Sequence, residues 1–234
     1  MKKEKGKKPM ISYPEAFRSA HEFSSLHLGT ELNPAFPISE TWTCNMKELS
    51  PKLARVLAYH FDSVGSVDNH CLFATMILSL CLCGQGIPHA VTVGDVEYDD
   101  GNRYTKASEG SLLEDVKKGF VVKFVDGYPE LEPAHAHSWI TLPNGDIIDP
   151  TITPHIDVLR GTTTVAPFDF EDAIFGLRNR DPRVSKHIPM LTGLKYHLRV
   201  ATGINHILGI TEENYHAYQQ WRGFYLDIMN VDVI

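Results

Sequence analysis

The sequence predicts an α+β domain in which one buried helix packs on an antiparallel β-sheet, with a helical region added at the C-terminal end. Three observations lead there. Residues 71–82, "CLFATMILSLCL", are apolar almost all round, as in a central helix. The runs "HAVTVGDVEY" and "FVVKFVDGY" are rich in β-branched residues, as in strands. Residues 134–149 hold two strand-like runs around Asn144-Gly145, the strongest short hairpin signal.

Taken in order, "MKKEKGKKPM" has five lysines in its first eight residues and no apolar run behind it, so it reads as a disordered basic tail over residues 1–12 rather than a signal peptide. Residues up to 46 read as irregular, broken by Pro14, Pro34 and Pro37. Ser50-Pro51 is a helix start, and Leu53, Val56, Leu57 and Phe61 follow at helical spacing. "DSVGSVDN" is a loop before the buried helix, which Gly84 and Gly86 end. "SLLEDVKKG" reads as a short helix capped by Ser111, with Glu114 completing a capping box. Beyond Pro150 the character changes, and residues 184–208 and 211–229 read as helical.

A chain of 234 residues is long enough to bury a full core as one domain. Its net charge of −7 argues against a general nucleic-acid or membrane-surface binder, since both need a basic face. No window reaches the ~18 apolar residues of a membrane span. The location expected is cytoplasmic, or outside the cell by a route without a cleaved signal. Four cysteines are too few for a disulfide framework at this length. Cys44, Cys81 and Cys83 read as structural thiols, and neither a C-x-x-C nor an H-x-x-x-H completes a zinc pattern, so no metal or cofactor is expected.

Cys71 differs from the other three because it stands where a loop meets the helix start. A nucleophilic thiol must ionise, and the positive end of a helix favours the thiolate. The first-turn amides lack intrahelical acceptors and are free to hold an oxyanion. The thiol also needs an imidazole, itself oriented by a third polar group. "AHAHSWITLPNGDIIDPT" supplies His135, His137 and Asp149 from adjacent strands. On residues alone the choice between the two histidines stays open. An unbulged two-residue turn at Asn144-Gly145 would set Ile140 opposite Asp149 and turn that carboxylate away from His137. A working Asp149 therefore requires an odd loop or a bulge. His155, His187, His197 and His206 show no ligand spacing, and Trp221, Phe224 and Tyr225 read as core.

"CLFATMILSLCLCGQGIPHAV" resembles the nucleophile helix of the transglutaminase-like superfamily, with Ala three residues after Cys, a Leu-rich run, G-I-P and a strand. "HSWITLPNGDIIDPT" resembles its second motif: His-x-Trp, a short turn, then Asp-Pro-Thr. The likeness covers roughly residues 50–152 and implies a papain-like core, a cysteine-bearing helix on a sheet that supplies His and Asp. It implies Cys71 as nucleophile, His137 as base and Asp149 as orienting carboxylate. His70 stands where the family usually has Gly or Gln, and His89 where it often has Arg. Trp42, the one tryptophan upstream of Cys71, corresponds to the residue that assists the oxyanion. Asn69, His70, His135 and Trp139 are further candidates for lining the site. The organisation expected is a catalytic core over 13–152 with a helical region over 153–234 packed on it.

The function expected is a cysteine-dependent amide hydrolase or acyl transferase working through a thioester on Cys71: protease, amidase, glutamine deamidase or transglutaminase. The partner expected is a protein or peptide bearing a glutamine or other amide. The alternative is a non-catalytic binding module on the same fold.

Overall fold

The computed structural model describes residues 11–61, 70–119, 122–125, 128–131, 135–162 and 181–200. The first ten residues of the expected basic tail, Asn69, the 62–69 loop and the helical readings beyond residue 200 lie outside the described residues. Among the described residues no helix is long and apolar enough to cross a membrane.

The architecture is α+β. In chain order come α1 (Tyr13–Leu28), α2 (Met46–Phe61), α3 (Cys71–Gly84), β1 (Ala90–Tyr98), α4 (Glu109–Lys118), β2 (Val122–Val125), β3 (Tyr128–Leu131), β4 (His137–Thr141), β5 (Ile147–Ile148), α5 (Ile152–Leu159), β6 (Val184–Thr192) and α6 (Lys195–Val200). Strands β5, β4, β1 and β6, in that spatial order, form a four-stranded antiparallel sheet. Strands β2 and β3 make a separate antiparallel pair.

Helix α3 is buried along nearly its whole length, as its all-round apolar sequence requires. Ala74, Ile77, Leu78, Leu80 and Cys81 join Leu53, Val56 and Leu57 of α2 and Val91, Ile140 and Ile148 of the sheet in the largest apolar cluster. Val91 opposes Ile140, and Ile140 opposes Ile148, so these three share one face of the sheet. On the facing side, Val96 and Val184 pack with Ile152 and Ile156 of α5.

Several elements differ from the sequence reading. Residues 13–28 are a helix, not irregular chain. Ser12 and Glu15 form a capping box, and Pro14 sits in the first turn, where its missing N–H costs nothing. Helix α2 starts at Met46 and carries Pro51 inside it, so Ser50 is not its cap. The cap of α4 is Ser108, and Ser111 is its partner three residues on. Residues 184–192 are the strand at one edge of the four-stranded sheet rather than a helix, so the sheet draws on chain beyond residue 152. The physical reason is local: β-branched Val184, Ile188 and Thr192 favour a strand, and Pro189 would break a helix interior.

Gly94 lies beside a bulge in β6 at Met190, opposite His137 on one side and Pro189 on the other. A β-carbon there would overlap the Ile188 carbonyl oxygen and lie 3.1 Å from the Trp139 ring. Gly94→Ala is therefore expected to destabilise the fold by about 1–3 kcal/mol, the usual range for overpacking. A denaturant midpoint equal to wild type would show that the β1–β6 bulge opens freely.

Candidate functional site

Asp149 is the centre of the buried polar cluster. Its Oδ2 accepts from Nε2 of His137 at 2.6 Å and from Nε2 of His187 at 2.9 Å. Its Oδ1 accepts from the Thr151 amide and hydroxyl, both at 3.2 Å, and from the Ile152 amide at 3.3 Å. These last three bonds form because the chain turns into α5 directly after Asp149, so the carboxylate caps the helix start.

The hairpin register puts Asp149 on this face. Ile140 pairs with Ile148 and Thr141 with Ile147, and Leu142 N–H donates to the Asp146 carbonyl at 2.8 Å. Pro143, Asn144 and Gly145 are then a three-residue loop. Gly145 takes φ +80° and its N–H donates to the Leu142 carbonyl at 2.9 Å. An odd loop sets Asp149 opposite Trp139 rather than Ile140, which brings the carboxylate to the face of His137 and Trp139. On β1, Gly94 opposes His137 and Val96 opposes His187, so that face also carries His187.

His137 is fully buried. Its ring is flanked by Tyr104 at 5.2 Å and Trp139 at 5.8 Å, centroid to centroid. Its Nδ1 is buried and makes no hydrogen bond among the described residues. Burial opposes a charged ring, but the charge and hydrogen bond of Asp149, followed by the Cys71 sulfur, outweigh it and raise His137 to about 10. For Asp149, burial works against ionisation, and the two histidines overcome it and hold the carboxyl well below the usual range.

Cys71 is the first residue of α3 and is 6% exposed. Its thiol lies 3.7 Å from the carbonyl oxygen of Ala136, the residue before His137, and donates to it. The buried helix thus delivers its first side chain to the start of β4.

The remaining sequence candidates fall in different places. Trp139 is fully buried and its indole N–H donates to the Tyr13 hydroxyl at 2.8 Å, so it supports the site from within. The hydroxyl in turn bonds Thr141 at 2.6 Å, and Thr141 bonds Thr92 at 2.8 Å. His135 is exposed, in a bend before β4 rather than on the strand. His70 precedes Cys71, edge-on to Phe61 at 5.8 Å. Trp42 packs, half-buried, on the large apolar cluster. His89 bonds Ser79 at 2.7 Å and the Ile87 carbonyl at 2.9 Å, beside a separate cavity of about 230 Å³. His187, which the sequence reading gives no ligand spacing and places on a helix, lies on β6, and Tyr104 and Tyr13 are not among the sequence candidates.

His137, Asp149 and His187 also present three potential ligand atoms within 4.8 Å of one another. The 2.6 Å separation of His137 Nε2 and Asp149 Oδ2 is a hydrogen-bond distance. Two atoms each about 2.0–2.1 Å from one tetrahedral zinc would stand farther apart than that. As it stands, the contact is a hydrogen bond.

Comparison with family models, curated proteins and solved structures returned no match.

The two shifts predict how stability depends on pH. His137 is raised above its ordinary 6.5, so its contribution is complete below about 6.5 and is lost as pH rises toward 10. Asp149 is lowered below its ordinary 3.8, so its contribution is present above about 3.8 and is lost as pH falls further. Thermal melts should give a plateau between roughly pH 4 and 6.5 with an alkaline decline, and His137→Gln should flatten that decline. An alkaline arm unchanged in His137→Gln would assign the decline to other groups.

Proposed function

We propose that the protein is a cysteine-dependent amide hydrolase or acyl transferase on a transglutaminase-like core, with Cys71 as nucleophile, His137 as acid–base and Asp149 as orienting carboxylate. One observation carries the reading. Asp149 holds Nε2 of His137, and the Cys71 side chain lies close enough to the ring to favour its protonation, which leaves Nδ1 as the nitrogen not taken by Asp149. An oriented imidazole with one nitrogen left for a helix-start thiol is what nucleophilic catalysis by cysteine needs.

In this reading Cys71 and His137 rest as a thiolate–imidazolium pair, with the thiol proton on Nδ1 in keeping with the raised His137, and the sulfur attacks the carbonyl carbon of an amide. The first-turn amides of α3, at whose start Cys71 stands, would supply the donors for a developing oxyanion. The C–N bond then breaks, Nδ1–H protonates the departing amine or ammonia, and a thioester remains on Cys71. Water, deprotonated by His137, releases the acid; an amine acceptor gives transfer instead. Hydrolysis or deamidation is the simpler outcome, since it requires no second-substrate site. The substrate class is a protein or peptide carrying a glutamine side chain or another amide.

The test uses iodoacetamide near pH 7 with peptide mapping. Cys44 and Cys83 are half-buried and more accessible than Cys71, and burial pushes the Cys44 thiol up. Preferential labelling of Cys71 despite its lower exposure is the expected result. Cys71→Ser is expected to fold and to yield no thioester detectable by mass spectrometry after exposure to cell lysate. His137→Ala should slow turnover by roughly 10²–10⁴-fold, the range of general acid–base catalysis, and His135→Ala much less. Labelling that simply follows exposure, with Cys44 and Cys83 ahead of Cys71, would favour a binding module.

A further inference from the structure

His187 has no part in the steps above, yet it shares the carboxylate oxygen that orients the base. Its Nε2 lies 2.9 Å from Oδ2 of Asp149, the oxygen that takes Nε2 of His137 at 2.6 Å. It reaches that point from β6, two strands away from β4 across β1. The ring is largely buried and stands edge-on to Trp139, with centroids 5.0 Å apart and planes at 68°. Gly94, between the two strands, is where a side chain would collide with Trp139 and the β6 backbone.

A carboxylate held at Oδ2 by one imidazole keeps some freedom to rotate about its Cβ–Cγ bond. With Oδ1 fixed by the Thr151 and Ile152 amides and Oδ2 shared by two imidazoles, that freedom is gone. Both Nε2 atoms donate, since an ionised carboxylate only accepts.

We infer that His187 is a positioning residue that acts through Asp149 to fix the His137 ring, with Nε2 on the carboxylate and Nδ1 left for Cys71. The inference rests on the proposed Cys71–His137 chemistry.

Four variants of the full chain test it: His187→Ala, His187→Phe, His187→Gln and, as reference, His137→Ala. The readout is the rate of Cys71 carboxymethylation by iodoacetamide near pH 7, with Cys44 and Cys83 followed in the same peptide map. Ala and Phe remove the donor, and Phe keeps a ring beside Trp139. Both should slow Cys71 between about 10- and 100-fold, the scale of losing a fixed geometry. Gln, whose amide N–H can donate to the same oxygen, should restore most of the rate. Cys44 and Cys83 should keep wild-type rates, whereas general loosening would speed all three thiols together. Should His187→Ala fail to fold, the contrast between Phe and Gln decides. Equal Cys71 rates in those two variants, or a parallel rise at every thiol, would overturn the inference. If His137→Ala slows Cys71 and no His187 variant does, only the role of His187 falls. If His137→Ala labels at the wild-type rate, the underlying chemistry falls and the inference goes with it.

Discussion

An ionised carboxylate buried away from water is tolerable only when its lone pairs are filled and its charge is answered. Asp149 meets that condition with donors from three places: the β4 histidine, the β6 histidine, and the amides and hydroxyl at the start of α5. Each donor fixes an element relative to the others. The end of the hairpin, the turn into α5 and the far strand of the sheet must all arrive at one carboxylate. Losing one of them leaves a charge in the core with too few partners, a situation that usually costs several kcal/mol. Stability and site geometry are therefore coupled, and the same bonds that keep Asp149 ionised also aim His137.

Register makes this convergence possible. A sheet has a period of two, so a slip of one residue sends a side chain to the opposite face. The three-residue loop at Pro143, Asn144 and Gly145 supplies the needed odd count, and Gly145 takes the left-handed conformation that such loops use. Gly94 makes the complementary adjustment on β1. The pairing with β6 shifts between Val93 and Gly94, where Met190 of β6 is the extra residue, and the missing side chain of Gly94 leaves room for the Trp139 ring.

The sequence made the inner half of this arrangement legible. Helix α3 was readable because its apolar residues run all round, and the β4–β5 hairpin because Asn-Gly has few other uses between strand-like runs. The demand for an odd loop followed from counting residues outward from the turn. What was not legible depends on long-range pairing. His187 sits in "VSKHIPMLT", where nothing local says that the strand will lie beside β1 and bring one histidine to Asp149, 38 residues earlier. Helix α1 escapes a sequence reading for a different reason: Pro14 looks like a breaker, yet in a first turn behind Ser12 and ahead of Glu15 it is compatible with a helix. The start of α4 is ambiguous in sequence because Ser108 and Ser111 both suit a cap, and that of α2 because Ser50-Pro51, a good start signal, falls inside the helix.

Helix α1 also explains why the imidazole has so little freedom. The buried indole of Trp139 needs an acceptor for its N–H, and Tyr13, the first residue of α1, provides it. The hydroxyl passes the bond on to Thr141, and Thr141 to Thr92 on β1, so each hydroxyl of this relay is bonded. Farther along α1, Ser24 accepts from the Thr192 amide at 2.8 Å and His21 bonds its hydroxyl at 3.1 Å, tying the helix to the end of β6. The strand that carries His187 and the indole beside it are thus anchored by one helix. Around His137, Trp139 lies on one flank, Tyr104 on another, and Asp149 holds Nε2. A buried polar atom left without a partner ordinarily costs about 1–3 kcal/mol, and Nδ1 is such an atom in a cluster otherwise satisfied. Cys71, bonded to the residue before His137, lies on the side of the ring that Asp149 does not hold, so under the proposed chemistry this is the nitrogen that would exchange a proton with the thiol.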